Sequence, residues 1–200
     1  MAATTPKKLR IAVMLEMVQL SDIMGIDIFG NLSQEYMSQI HHFEPAWAAF
    51  APHAVEMEFF FLATTLEPAH MTPGLKFVPN MTYDDCPRDL DIVVVGGTFF
   101  SHRPVAADRF MKEAWLRTRV WMTTCTGSVW LASTGLLDGR KATTNREGLA
   151  IAKKLCPDVD WQDQRWVVEE KPFEGEGKGE LWTAGGAGAG EYISLIAAVD

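Results

Sequence analysis

Two hundred residues, 48% of them hydrophobic and including seven tryptophans and eleven phenylalanines, suffice for one sizeable core, and one domain over 1–200 is expected. A formal charge of −8 with no basic block excludes nucleic acid and an anionic membrane surface as main partners. The cysteines (Cys86, Cys125, Cys156) are three, widely spaced and form no Cys-x-x-Cys pair, which argues against a disulfide framework or a zinc site and for a reducing, cytoplasmic setting.

Leu9 to Met17 is apolar with a β-branched core and reads as a buried first strand rather than a signal peptide, because Glu16 breaks the run. Ser21-Asp22 then opens a helical pattern with Ile26, Phe29 and Leu32 on its apolar face. Residues 39 to 54, with two prolines and three histidines, read as an irregular surface insertion. Strands follow at 55–62 and 75–78, and a central one at 91–95 ends in Gly96-Gly97. A helix is expected over 105–117, then a strand running into Cys125 and a helix leaving it. A further helix covers 145–155, strands cover 164–169 and 180–184, and a last helix runs from Gly190 to Val199. Strands alternating with helices predict an α/β fold with a mostly parallel sheet covered on both faces. Chemistry in such sheets gathers at the carboxyl ends of the strands, where Asp22, Gly96-Gly97 and Cys125 all fall.

Cys125 lies in Thr123-Thr124-Cys125-Thr126-Gly127-Ser128, between an apolar strand end and a helix start. The free N–H groups of that first turn face the sulfur, which predicts a lowered thiol pKa and a nucleophile. A buried core cysteine has the same local pattern. Gly96 and Gly97, followed by Thr98, let backbone N–H groups approach a ligand, as an oxyanion pocket needs, although a plain tight turn needs the same pair. Asp22 is the candidate acid/base partner. A thiolate beside it would raise its pKa and let it donate a proton, whereas the competing reading is a helix cap. Thr126 offers a hydroxyl and an N–H to the pocket, or simply satisfies the helix start. No histidine adjoins Cys125. His102, in the loop after the glycines, is the one within reach, and no His/Asp/Glu cluster has metal spacing. The Gly185-Gly186-Ala187-Gly188-Ala189-Gly190 run fails the dinucleotide pattern because Glu191 stands where glycine or alanine is required.

Taken together, Asp91-Ile92-Val93-Val94-Val95-Gly96-Gly97, Thr124-Cys125-Thr126-Gly127-Ser128, the stretch from Gly135 to Thr144 and that from Trp182 to Gly190 resemble the DJ-1/PfpI superfamily, in order along nearly the whole chain. Cys-Thr-Gly at the elbow and Asp22-Ile23-Met24-Gly25 after the first strand are most similar to its isonitrile hydratase branch. The resemblance implies a three-layer, flavodoxin-like and glutamine amidotransferase-like sandwich with a nucleophile-elbow cysteine, no cofactor, a small-molecule substrate and a symmetric homodimer. It further implies that Cys125 attacks an isonitrile carbon, that Asp22 supplies the proton, and that Thr126 helps hold the pair. Val95 departs from the family's usual proline, and Asn145 stands where a histidine often follows Thr-Thr. A glyoxalase-type reaction and a redox-responsive protein are the competing functions.

Overall fold

The computed structural model describes residues 8–43, 45–72 and 74–199. In chain order the elements are β1 (Leu9–Met14), α1 (Ile26–Asn31), α2 (Gln34–Ile40), α3 (Pro45–Ala48), β2 (Met57–Ala63), β3 (Ala69–His70), β4 (Lys76–Phe77), β5 (Met81–Thr82) and β6 (Ile92–Val95). They continue with α4 (Val105–Ala114), β7 (Val120–Thr124), α5 (Gly127–Ala132), β8 (Lys141–Ala142), α6 (Leu149–Leu155), β9 (Asp160–Trp161), β10 (Trp166–Lys171), β11 (Gly179–Ala184) and α7 (Ala187–Val199).

A seven-stranded sheet in the order β10-β11-β7-β6-β1-β2-β5 forms the middle layer. All its pairings are parallel except β10 with β11, which pair antiparallel across the Gly-rich turn. Every residue of β6 and β7 is buried, as uninterrupted apolar runs covered on both faces must be. From β1 the chain crosses to β2 on one side, and from β6 it crosses to β7 on the other. Right-handed crossovers taken in opposite directions put their helices on opposite faces. α7 returns to pack on α1. Trp121, Phe110 and Leu131 are among the largest fully buried side chains, each worth on the order of 2 kcal/mol of burial. The direction reverses between β1 and β6, and that switch point opens a crevice at their carboxyl ends. No helix among the described residues is long and apolar enough to cross a membrane.

The α/β architecture read from the sequence stands, with local corrections. β1 stops at Met14, and Met17 sits in the left-handed region at φ 59°, so the apolar run turns out of the sheet before Val18. The helix expected from Ser21 is two pieces: a 3₁₀ turn, Leu20–Ile23, and then α1. The segment taken as irregular holds the end of α2, the four-residue α3 and a 3₁₀ turn, Ala51–His53. The strand expected at 75–78 reduces to β4, which pairs with β3 outside the main sheet, while the edge strand β5 carried too few residues to show a period.

Candidate active site

β7 delivers the chain to Cys125 in a left-handed conformation, φ 56°, which costs a non-glycine residue roughly 1–2 kcal/mol. The surroundings hold it there. The Cys125 N–H donates to the Ala184 carbonyl at 2.8 Å, extending the β7–β11 ladder by one bond. The Cys125 carbonyl accepts from the Ser128 hydroxyl at 3.0 Å and from the Thr144 hydroxyl at 2.9 Å. α5 then starts so close to the end of β6 that a Cβ on Gly127 would overlap the Val95 and Gly96 carbonyls. That contact explains the glycine two residues after the elbow.

Asp22 comes to this elbow from the far side of the switch point. It is 6% exposed, and its Oδ2 accepts the Gly97 N–H at 3.0 Å across 75 residues of chain. A Cβ on Gly97 would overlap that Oδ2 and lie 3.0 Å from both Cys125 Cβ and Thr126 Oγ1. Gly97 is thus the bare floor on which a carboxyl, a thiol and a hydroxyl meet. Asp22 is no cap for its own turn: Gln19 holds the capping position and no side chain caps there.

Burial raises the Asp22 carboxyl above its ordinary pKa, against the pull of the Gly97 N–H and the Cys125 thiol. Burial also raises the Cys125 thiol, and the charge of Asp22 adds to it. The Thr126 N–H and the Asn145 side chain oppose this by favouring the thiolate. The lowered thiol pKa expected from the helix start is therefore corrected: desolvation and a neighbouring carboxylate outweigh one turn of amides. Each group therefore holds its proton more tightly than it would in water. Burial raises the thiols of Cys86, to about 12, and of Cys156 as well.

The other expected site residues separate. The Thr126 hydroxyl donates to the Thr98 carbonyl at 2.8 Å, tying the elbow to the loop after β6. The Thr98 hydroxyl turns away and donates to the Met17 carbonyl at 3.0 Å. A Cβ on Gly96 would overlap the Val18 and Ile23 side chains, so this glycine lets the Asp22 segment pack onto the strand end and does not face the thiol. The Gly97 N–H, expected to serve an anion, is occupied by Asp22. The ring of His102 meets Trp130 edge-on at 5.3 Å between centroids, with Nε2 buried and unpartnered, and burial lowers its pKa. It lines a small cavity with Thr98, Thr126 and Trp130.

Asn145 is the residue that the sequence reading noted but did not place in the site. Its Oδ1 accepts the Glu147 N–H at 3.0 Å, capping the turn Arg146–Gly148. That leaves its NH2 as the group free to act on the Cys125 thiol, whose pKa Asn145 pulls down. The available signal was its position where the resembled family has a histidine.

The DJ-1/PfpI family model matches residues 32–193, a range that contains Gly97, Cys125, Thr126 and Asn145 and leaves Asp22 outside. The isonitrile hydratase of Pseudomonas putida is 35% identical to this chain over 85 residues, 40% of this chain and 36% of that protein, so the match spans about a third of the curated relative. Among solved structures, a ThiJ/PfpI family protein from Pseudomonas syringae has a TM-score of 0.72 at 20% identity, covering 98% of this chain and 69% of its own. An AraC family transcriptional regulator from Pseudomonas putida has a TM-score of 0.66 at 14% identity, covering 96% of this chain and 90% of its own. Likenesses at these identities show the fold alone.

Proposed function

This chain belongs to the DJ-1/PfpI family, and on that premise we propose that it is a cysteine-dependent hydro-lyase that adds water to an isonitrile to give an N-substituted formamide. The observation that carries the reading is the Asp22 carboxyl and the Cys125 thiol buried together over Gly97. Isonitrile hydration needs one soft nucleophile and one group that takes a proton and returns it. As the Cys125 sulfur bonds to the terminal carbon of R–N≡C, its proton passes to Asp22. Asp22 then protonates that carbon, leaving the thioimidate Cys125–S–CH=N–R. Water adds at the same carbon, the C–S bond breaks, sulfur recovers its proton and R–NH–CHO leaves. Thr126 ties the elbow to the loop after β6, and Asn145 favours the thiolate. The partial likeness to the Pseudomonas putida isonitrile hydratase supports the same substrate class.

The competing functions fit less well. Conversion of a 2-oxoaldehyde to a hydroxy acid moves a proton between two carbons and is best served by a base with pKa near 7. His102, the candidate, has its pKa lowered by burial and its Nε2 enclosed beside Trp130. Peroxide sensing favours an accessible thiolate, whereas Cys125 is 9% exposed with its pKa raised. The experiment follows formamide and lactate formation with one preparation given a bulky isonitrile or methylglyoxal, with Cys125→Ala as the blank. Formamide lost in that variant supports the reading, and lactate without formamide overturns it. The proposal includes a homodimer in solution, and light scattering that returns the 22.3 kDa subunit mass at micromolar concentration removes that part.

A further inference from the structure

Beside the elbow lies a cavity of about 350 Å³ walled by Thr144, Arg146, Gln164, Arg165 and the run Gly185 to Ala189. We infer that this cavity holds an anionic arm of the substrate, so that the preferred isonitriles carry a carboxylate on the nitrogen substituent. The inference rests on the reading of Cys125 as the nucleophile.

Three observations carry it. The first is position. The Thr144 hydroxyl in the cavity wall donates to the Cys125 carbonyl, and Gly185 directly follows Ala184, whose carbonyl takes the Cys125 N–H. The turn between site and cavity serves both: Asn145 pulls the Cys125 pKa down, and Arg146, the next residue, faces the cavity. The second is charge. Arg146 and Arg165 are the only ionisable residues in the wall, and no carboxylate is among them, in a chain of formal charge −8. Asp163 engages Nε of Arg146 at 2.8 Å from outside the wall, and Arg165 keeps the lining cationic. Two guanidinium groups are planar, permanently charged forks suited to a carboxylate. The third is space. A Cβ on Gly186 or Gly188 would meet nothing within 4 Å, and neither residue has the positive φ that demands glycine. Neither packing nor backbone requires these glycines, and their bareness keeps the cavity open.

The test compares alkylation of Cys125 by iodoacetate and by iodoacetamide, which differ in charge and little in shape, read on the Cys125 peptide by mass spectrometry. Arg146→Gln, Arg165→Gln and the double variant are measured beside the wild type; both side chains are exposed, so the fold tolerates the change. The iodoacetate-to-iodoacetamide rate ratio, in which any change of thiolate fraction cancels, is expected to fall about threefold or more in the double variant and in wild type at high salt. A ratio that the double variant leaves unchanged, while iodoacetamide still labels Cys125, overturns this inference and leaves the nucleophile standing. Labelling of Cys125 by neither reagent overturns both.

Discussion

The amide of Gly97 donates to Asp22 Oδ2 at 3.0 Å, and this bond anchors the carboxyl over the same glycine that Cys125 borders. It holds the carboxyl by its charged form while burial favours the neutral form. A group balanced in this way suits a proton that must move twice in one turnover.

Asp22→Asn separates the two roles of that carboxyl. The amide removes the negative charge that raises the Cys125 pKa, so alkylation of Cys125 at neutral pH speeds up. The same change removes the proton carrier, and isonitrile turnover falls by about 100- to 10,000-fold. Iodoacetamide labelling and formamide formation, measured on one sample, must move in opposite directions; if both stay at wild-type values, Asp22 is only structural.

Gly97→Ala places a methyl group among Asp22, Cys125 and Thr126, where the built Cβ overlaps one of them and stands 3.0 Å from the other two. Overpacking of this kind costs about 1–3 kcal/mol, and here the displaced atoms are the reacting ones. We expect a lower melting temperature and a larger fractional loss of turnover than of stability. Full activity in Gly97→Ala means that the three groups do not act together.

Asn145→Ala removes a donor to the sulfur and the cap of the turn Arg146–Gly148. Cap loss costs about 1 kcal/mol. The thiol pKa rises further, so the pH profile of alkylation shifts to higher pH. Asn145→Asp retains the capping oxygen and replaces the donor with a carboxylate, which opposes the thiolate. It should keep most of the stability and shift the alkylation profile in the same direction, and a profile that does not move in either variant rules out the Asn145–sulfur contact.

Lys171 gives a pH signature away from the site. It is 3% exposed and donates to the Trp115, Thr118 and Pro172 carbonyls at 2.7, 2.7 and 3.1 Å. Burial, with the charge of Arg140, pulls its pKa from 10.5 to about 8. The folded value lies below the unfolded one, so the unfolded chain binds more protons between the two. Stability from this group is lowest below pH 8 and increases as pH rises from about 8 towards 10.5. Thermal melts from pH 7 to 10 should show a slope in wild type that is more positive than in Lys171→Met, the difference cancelling the opposite contributions of the buried cysteines; equal slopes for the two proteins would falsify the shift.

Some of this was legible residue by residue. The runs Ile92–Val95 and Val120–Met122 are apolar on both faces, the pattern of strands buried between two helical layers. The cysteine after such a strand, followed by Thr126-Gly127-Ser128, marks an elbow because Gly127 must lie against the next strand's carbonyls. The fold class, the gathering of the site at the carboxyl ends of the strands and the elbow therefore follow from the sequence by itself, since each rests on local pattern and connection rules. The partners within the crevice do not. Whether Asp22 caps a helix or meets a thiol, whether Gly96 or Gly97 faces the site, and that Asn145 reaches the sulfur are matters of contact between segments far apart in the chain. Only the tertiary structure decided them, and it also set the direction of the Cys125 pKa. The local pattern supplies the amides that lower it, but burial and the charge of a carboxylate brought in from beyond another strand raise it further.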